Sequence, residues 1–208
     1  IDSKMIFNTE KTIISIGDFV DAFYKIKFKG TRFVLSKFFN ISNESRISSK
    51  WDVYASESDF WIVPEIKESW NIKISGNSDM FYEDYVYEKY LKNRINISLL
   101  SIGCGEGGHE RKFAKYSNFD QIIGVDISIG SIEKAKKLAK EEGFKIKYYC
   151  NDFFRLDFSK TKFDVILFNA SLHHFDKIEF FLKTHIEPLL DENGIVVVNE
   201  FCGPNRLQ

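Results

Sequence analysis

From Ile95 to Phe201 short apolar runs alternate with segments of helical spacing, and this alternation constrains the fold more than any other feature. The runs are ISLLSIG, QIIGVDI, KIKYYCND, FDVILFNA and GIVVVNEF, each rich in β-branched or aromatic residues. Between the second and third, SIEKAKKLAKEEG sets Ile132, Ala135, Leu138 and Ala139 at helical spacing and offers Gly143 as a C-terminal stop. Strand, helix, strand is a βαβ unit, and near-continuous apolar strands need cover on both faces. The expected fold is therefore α/β, a doubly wound and mainly parallel sheet that binds its ligand at the carboxyl ends of the strands.

Upstream of Ile95 helix signals and aromatic residues replace the strands. VPEIKESW places Pro64 in a first helical turn, and SDMFYEDYVYEKYL offers Ser78 as an N-cap followed by early acids. Further upstream Ile13, Ile16, Val20 and Phe23 recur at helical spacing, FKGTRFVLSKFF mixes aromatic and basic residues, and NISNESRISSK reads as a polar linker. The expected division is an N-terminal helical extension over 1–94 and a ligand-binding core over 95–208.

The first apolar run exits into LLSIGCGEGGHE, where Gly103, Gly105, Gly107 and Gly108 give up side-chain packing at a strand end, an arrangement that suits close approach of a ligand to the backbone. Gly103, Gly105 and Gly108 match G-x-G-x-x-G, and Asp126 follows 18 residues after Gly108 at the end of the second run. That pattern alone fits a dinucleotide such as NAD, and with it an oxidoreductase, as well as any other nucleoside ligand whose ribose an acidic residue could hold.

Bulk properties narrow the classes. With 29 Lys and Arg against 30 Asp and Glu, the net charge of -1 offers no polyanion-binding signature, so no nucleic-acid partner is expected. Cys104, Cys150 and Cys202 are odd in number and widely spaced, which suits neither a disulfide framework nor a zinc site and points to a reducing, cytoplasmic compartment. No apolar run approaches the roughly 18 residues of a membrane span, and no signal peptide opens the chain.

The order of the later pieces decides between the ligands. LLSIGCGEGG, IIGVDIS, CNDFF, FDVILFNASLHHF and LLDENGIVVVNEF follow one another as in class I S-adenosylmethionine-dependent methyltransferases, which the chain resembles over about Ile95 to Phe201. The resemblance implies a Rossmann-like core and S-adenosyl-L-methionine as cofactor, with S-adenosyl-L-homocysteine as product. It puts Gly103, Cys104 and Gly105 beside the methionine part, Asp126 on the ribose hydroxyls, Ile127 on the adenine ring, Asp152 on the adenine amino group and the Phe153 backbone on the ring edge. The main chain of Asn169, beside Ser171 and Leu172, would meet the methionine ammonium. The family commonly carries an acid two positions before the first glycine, where this chain has Ser101; Glu110 is the candidate to supply that charge.

Methyl transfer from a sulfonium needs positioning more than acid–base help, but a hydroxyl acceptor benefits from a base, and His173 and His174 follow the fourth run, where the methyl would point. His109 and His185 complete no metal-ligand set with them, so no metal is expected. NASL stands where base-methylating members carry an Asn or Asp, two prolines and an aromatic. The segment ESWNIKISGNSDMFYEDYVYEKYL and the tail NEFCGPNRLQ are similar to methyltransferases of polysaccharide and glycan biosynthesis, which makes Trp70, Tyr82 and Tyr85 candidate acceptor-binding residues. The expected function is O-methylation of a sugar, glycan or other small hydroxylated acceptor. A non-catalytic cofactor-binding or docking module and a nicotinamide-dependent oxidoreductase are the alternatives. The fold usually adds two strands after the fifth, so a chain ending at Gln208 is expected to lack them.

Overall fold

A computed structural model describes residues 63–200 and, upstream, Lys27. The helix expected around Ile13 to Phe23, the FKGTRFVLSKFF segment, the NISNESRISSK linker, Cys202 and the rest of the tail beyond Glu200 lie outside the described residues. The described chain begins with α1 (Pro64–Ser75), whose Pro64 occupies the first turn and whose C-cap Gly76 adopts the left-handed conformation. After a turn, α2 (Tyr82–Val86) runs on into a wider π-turn, Tyr87–Leu91. From there strands and helices alternate: β1 (Ile97–Ile102), α3 (Gly108–Phe113), β2 (Phe119–Asp126), α4 (Ile129–Glu141), β3 (Lys147–Cys150), β4 (Phe163–Asn169), α5 (Ile178–Phe181) and β5 (Leu190–Asn199).

The five strands form one sheet in the order β3-β2-β1-β4-β5, every neighbouring pair parallel. Starting from β1 the chain steps outward to β2 and β3, then returns to lay β4 on the other side of β1. The direction of winding therefore reverses between β1 and β4, and the crevice above their carboxyl ends is where such sheets bind ligands. The three central strands, β1, β2 and β4, are buried on both faces as expected, whereas β3 and β5 at the sheet's edges are largely exposed; along β1, Leu99 joins the core that contains Val86, Leu91 and Phe113, while Leu100 joins the core that contains Phe168 and Phe181. Helix α4 covers the β2 and β3 side with Ile132, Ala135 and Ala139, while Leu138 stays half-buried. It ends at the expected place, with Gly143 left-handed at φ 77 and the Phe144 amide donating back to the Ala139 carbonyl at 2.8 Å.

Two expectations need correction. Ser78 is not an N-cap: α2 starts at Tyr82 after the extended Phe81, and Ser78 lies in the preceding turn with its carbonyl accepting from the Asn71 side chain at 2.7 Å. The turn is built by Ser75 and Asn77, whose side chains take the Asn77 and Asp79 amides respectively, so the acids of the first helical turn are Glu83 and Asp84. The fifth strand also starts earlier than its apolar run, at Leu190, and reaches its regular pairing with β4 after a register shift between Phe163 and Val165. Gly194 sits in that irregular stretch, where a Cβ would stand 2.8 Å from the Phe163 carbonyl oxygen. On β5, Val196 and Val198 are exposed.

Candidate functional site

Four of the expected site segments converge on the carboxyl ends of the strands. The loop after β1 turns at Gly103, whose amide, with that of Cys104, donates to the Val125 carbonyl of β2 at 2.8 and 3.0 Å. Gly103 has φ 74, and a Cβ there would meet the Ser171 Cβ at 2.5 Å. Ser171, just beyond β4, is buried and donates its hydroxyl to the Ile102 carbonyl at 2.6 Å, so β1 and β4 are latched together beneath the crevice. At Gly107, φ 72, a Cβ would stand 2.3 Å from the Tyr148 hydroxyl. Gly105 and Gly108 face open space instead, with nothing within 4 Å of an added Cβ. The loop is thus packed from below and open above.

Asp126 stands at the tip of β2. Its Oδ2 accepts from the Gly105 amide and its Oδ1 from the Ser128 amide, both at 2.8 Å. A carboxylate offers about four lone-pair sites, so each oxygen keeps one for a further donor, which is what two ribose hydroxyls require. Ile127 beside it is half-buried. Asp152, beyond β3, caps a short 3-10 turn (Phe153–Arg155) by accepting from the Phe154 amide at 3.1 Å, and the Asn151 amide ties this segment back to the Asp126 carbonyl at 2.9 Å. Phe153 is buried against Phe158, Phe175 and Phe181. A glycine cradle that a Cβ would fill, and a carboxylate with two spare acceptor positions, fit an adenosine-bearing cofactor.

Glu110 lies in the first turn of α3 and is fully buried; burial pushes its carboxyl pKa up, against a hydrogen bond from Ser101. Its Oε2 has no hydrogen-bond partner. The same seclusion raises the Cys104 thiol, first through burial and then through the nearby Glu110 and Asp126 carboxylates. Ser101 and Glu110, paired in the sequence argument as the missing and substitute acid, are in contact.

At the tip of β4, Asn169 accepts on Oδ1 from Asn199 at 2.7 Å and from the Tyr82 hydroxyl at 3.2 Å. Tyr82 also lies 3.0 Å from His109 Nδ1, which is 2.6 Å from Glu83 Oε1. Of the three aromatic residues expected at the acceptor, Tyr82 is joined to the strand ends. Tyr85 accepts from Lys89 at 2.8 Å on an exposed face, and Trp70 is half-buried on α1. Beyond Asn169, Leu172–His174 form a 3-10 turn in which Glu200 accepts twice, from the Leu172 amide at 2.6 Å and from His173 Nδ1 at 2.9 Å. The His173 and His174 rings lie 4.1 Å apart, while His185 packs edge-on against Phe154. Among the described residues no group of three or more His, Cys, Asp or Glu could hold a metal ion, and no helix is long and apolar enough to cross a membrane.

Glu83 and Glu200 escaped the sequence argument. Glu83 carries the ordinary signature of an acid in a first helical turn, and Glu200 that of a polar residue closing a strand; neither spacing announces a histidine 26 or 27 positions away.

Comparison with known proteins follows the same segments. A methyltransferase-domain family profile matches residues 99–193. The chain is 34% identical over 127 residues to a ubiquinone biosynthesis O-methyltransferase of Pelagibacter ubique, covering 61% of this chain and 51% of that protein. It is 26% identical over 121 residues to a sterol 24-C-methyltransferase of Candida albicans, covering 55% and 32%. Among solved structures, an S-adenosylmethionine-dependent methyltransferase from Clostridium acetobutylicum aligns at 22% identity and TM-score 0.49 over 64% of this chain and 55% of that one. The chain thus spans about half the length of the first relative and a third of the second. These relatives give no support to the glycan-biosynthesis likeness expected from the upstream segment and the tail.

Proposed function

Because residues 99–193 form a class I S-adenosylmethionine-dependent methyltransferase domain, we propose that this protein methylates a hydroxyl of a small acceptor, a sugar or similar hydroxylated compound, with S-adenosyl-L-methionine as donor. The observation that carries the cofactor side is Asp126, whose carboxylate is oriented by two backbone amides and retains two acceptor positions over an open glycine loop. Asp126 takes the ribose hydroxyls, Ile127 and the Phe153 backbone border the adenine, and Asp152 accepts from its amino group. Gly103, Cys104 and Gly105 pass along the methionine part, with the main chain of Asn169 at its ammonium. Glu110 acts from beneath the loop through Ser101.

When bound, the cofactor supplies a methyl group already activated by its sulfonium, so the chain's task is to position the acceptor and exclude water. On the acceptor side, His173 is held through Nδ1 by Glu200, which leaves Nε2 to take the hydroxyl proton, with the His174 ring tilted beside it at 4.1 Å. Tyr85 of α2 and Trp70 of α1, both half-buried, supply flat rings for a sugar face, while the Tyr82 ring is buried in the core and acts through its hydroxyl at the tip of β4. The acceptor's hydroxylated class is supported by this paired base and by a quinone-pathway O-methyltransferase among the relatives.

Titration calorimetry tests the reading: S-adenosyl-L-homocysteine binds and NADH does not. Micromolar NADH binding with no heat from S-adenosyl-L-homocysteine would replace the methyltransferase by an oxidoreductase. Turnover against a panel of hydroxylated acceptors, followed by release of S-adenosyl-L-homocysteine, separates an enzyme from a non-catalytic binding module.

A further inference from the structure

The fourth and fifth strands end on a pair of amides. Asn169 and Asn199 stand opposite each other in the β4–β5 register, each at the last position of its strand. Successive side chains of a strand alternate between faces, so both lie on the side of Leu167 and Val197, the side packed by α2. The Asn199 amide nitrogen donates to Asn169 Oδ1 at 2.7 Å, and the Tyr82 hydroxyl donates to the same oxygen at 3.2 Å. Burial, and then the nearby Glu83 and Glu110 carboxylates, disfavour the Tyr82 phenolate, so the phenol stays a donor at neutral pH. The backbone ties the same two tips together, because Ala170, left-handed at φ 50, donates its amide to the Asn199 carbonyl at 2.8 Å.

An asparagine side chain carries two donor hydrogens and an oxygen with two lone pairs. With two donors on its Oδ1, the Asn169 amide is fixed in orientation and its Nδ2 is left over. The two amides share one bond rather than a reciprocal pair, so Asn199 Oδ1 is left over as well, and neither atom has a partner among the described residues. Both residues are half-buried, and the sealed partnerless oxygens among the described residues belong to Glu83, Glu110 and Asn118, so these two amide poles stay open to solvent. A donor beside an acceptor suits a group that accepts and donates at once, as a hydroxyl does. A carboxylate does not fit, since Asn199 Oδ1 would repel it and the buried, ionised Glu83 next to Tyr82 would disfavour it. Glu200, the residue after Asn199, accepts from His173, so the amide pair and the proposed base flank one strand end.

We propose that Asn169 Nδ2 and Asn199 Oδ1 bind a second hydroxyl of the methyl acceptor, which accepts from the first and donates to the second while His173 takes the proton of the hydroxyl that is methylated. The acceptor class narrows from any hydroxylated small molecule to a diol or polyol. The proposal rests on the O-methyltransferase reading above and adds to it the acceptor subsite.

The test is an NMR titration of the isotope-labelled full chain, followed at the Asn169 and Asn199 side-chain amides, whose signals are identified by their loss in Asn169→Asp and Asn199→Ala. S-adenosyl-L-homocysteine is added to saturation, then either trans-cyclohexane-1,2-diol or cyclohexanol, probes that differ by one hydroxyl. The diol is expected to shift both amides saturably and to bind roughly 3- to 10-fold more tightly than cyclohexanol, the range for one neutral hydrogen bond. Asn199→Ala deletes the acceptor; Asn169→Asp keeps an oxygen for Tyr82 and Asn199 but deletes the donor. Each variant, read at the amide that remains and checked for folding by its melting curve, should bind the diol no better than cyclohexanol. Equal affinity of wild type for the two probes, or no saturable shift with either, overturns the proposal and makes the amides a strand-end clasp. A preference for the diol that both variants retain puts the diol elsewhere and overturns it too. Failure of S-adenosyl-L-homocysteine to bind, seen before either probe is added, overturns the methyltransferase reading and the subsite with it, whereas its binding without a diol response overturns the subsite alone.

Discussion

Gly103 and Ser171 touch across the crevice between β1 and β4 so closely that the glycine has no room for a side chain: an added Cβ would lie 2.5 Å from the Ser171 Cβ and 3.1 Å from its Oγ. Ser171 cannot simply rotate away without giving up its bond to the Ile102 carbonyl. Gly103→Ala therefore combines a left-handed backbone, about 1–2 kcal/mol for a residue with a Cβ, with overpacking of about 1–3 kcal/mol. The expected result is a lower melting temperature together with loss of S-adenosyl-L-homocysteine binding. Ser171→Gly in the same chain should restore part of the stability, because the two changes share one contact. A Gly103→Ala variant that melts and binds like wild type would remove the latch from this account.

The latch shows what a sequence can and cannot carry. Gly103 was legible because a glycine ending an apolar run has a local reason to be there. The strands β1, β2 and β4 were legible because burial on both faces puts consecutive apolar residues at their centres, Leu99–Leu100, Ile122–Ile123 and Val165–Phe168. Asp126 was legible as an acid at a strand tip, though not the two amides that aim it. What stayed hidden is pairing over distance. Glu83 with His109, Tyr82 with Asn169 and Glu200 with His173 are set by which strand tips the winding brings together, and no local period records that. Ser78 misled for the opposite reason: a good cap residue stood near a helix, but Ser75 and Asn77 had already formed the turn.

Replacing Asp126 by Ala removes the ribose acceptor and also leaves the Gly105 and Ser128 amides without their side-chain partner. Binding of S-adenosyl-L-homocysteine is expected to weaken by about 1.5–3 kcal/mol, with a stability loss of about 1–3 kcal/mol alongside. Asp120, exposed near the start of β2, is the control, and Asp120→Ala should alter neither quantity. Calorimetry and thermal melts on the two variants decide. Equal affinity for wild type and Asp126→Ala would end the ribose assignment.

Glu110 predicts a pH dependence of stability with a definite sign. Burial raises its folded-state pKa above the ordinary 4.5, so any stability that depends on its proton is present below that value and is lost as pH rises through the folded pKa. Glu110→Gln has no proton to lose. The difference in melting temperature, variant minus wild type, should therefore grow more positive from pH 4 to pH 8. Any constant offset from burying the amide leaves this slope untouched. A flat or falling difference would show that Glu110 is not the strained carboxyl its burial indicates.

The histidines after β4 place the proposed mechanism under the most direct test. Glu200 accepts from both the Leu172 amide and His173 Nδ1, so it shapes the 3-10 turn and aims the imidazole at once. His173 itself is 57% exposed on its side chain, whereas Glu200 is 13% exposed, so the carboxylate is the fixed member and the ring projects from it. If His173 removes the acceptor's proton, His173→Ala should lower kcat by about 10²- to 10⁴-fold while leaving S-adenosyl-L-homocysteine affinity unchanged, because base assistance is realised in the transition state. His174→Ala reports whether the neighbouring ring shares the work, and the double variant gives the residual rate from positioning alone. Glu200→Gln should keep a hydrogen-bonding partner for the turn yet lose the charge that favours a protonated imidazole, so its rate should fall with little change in KM. Each variant needs its melting temperature measured as well, since residues that only build the turn would lower stability and leave the rate per folded molecule intact. Full activity in the His173→Ala, His174→Ala double variant would take the base out of the mechanism and leave methyl transfer to positioning alone.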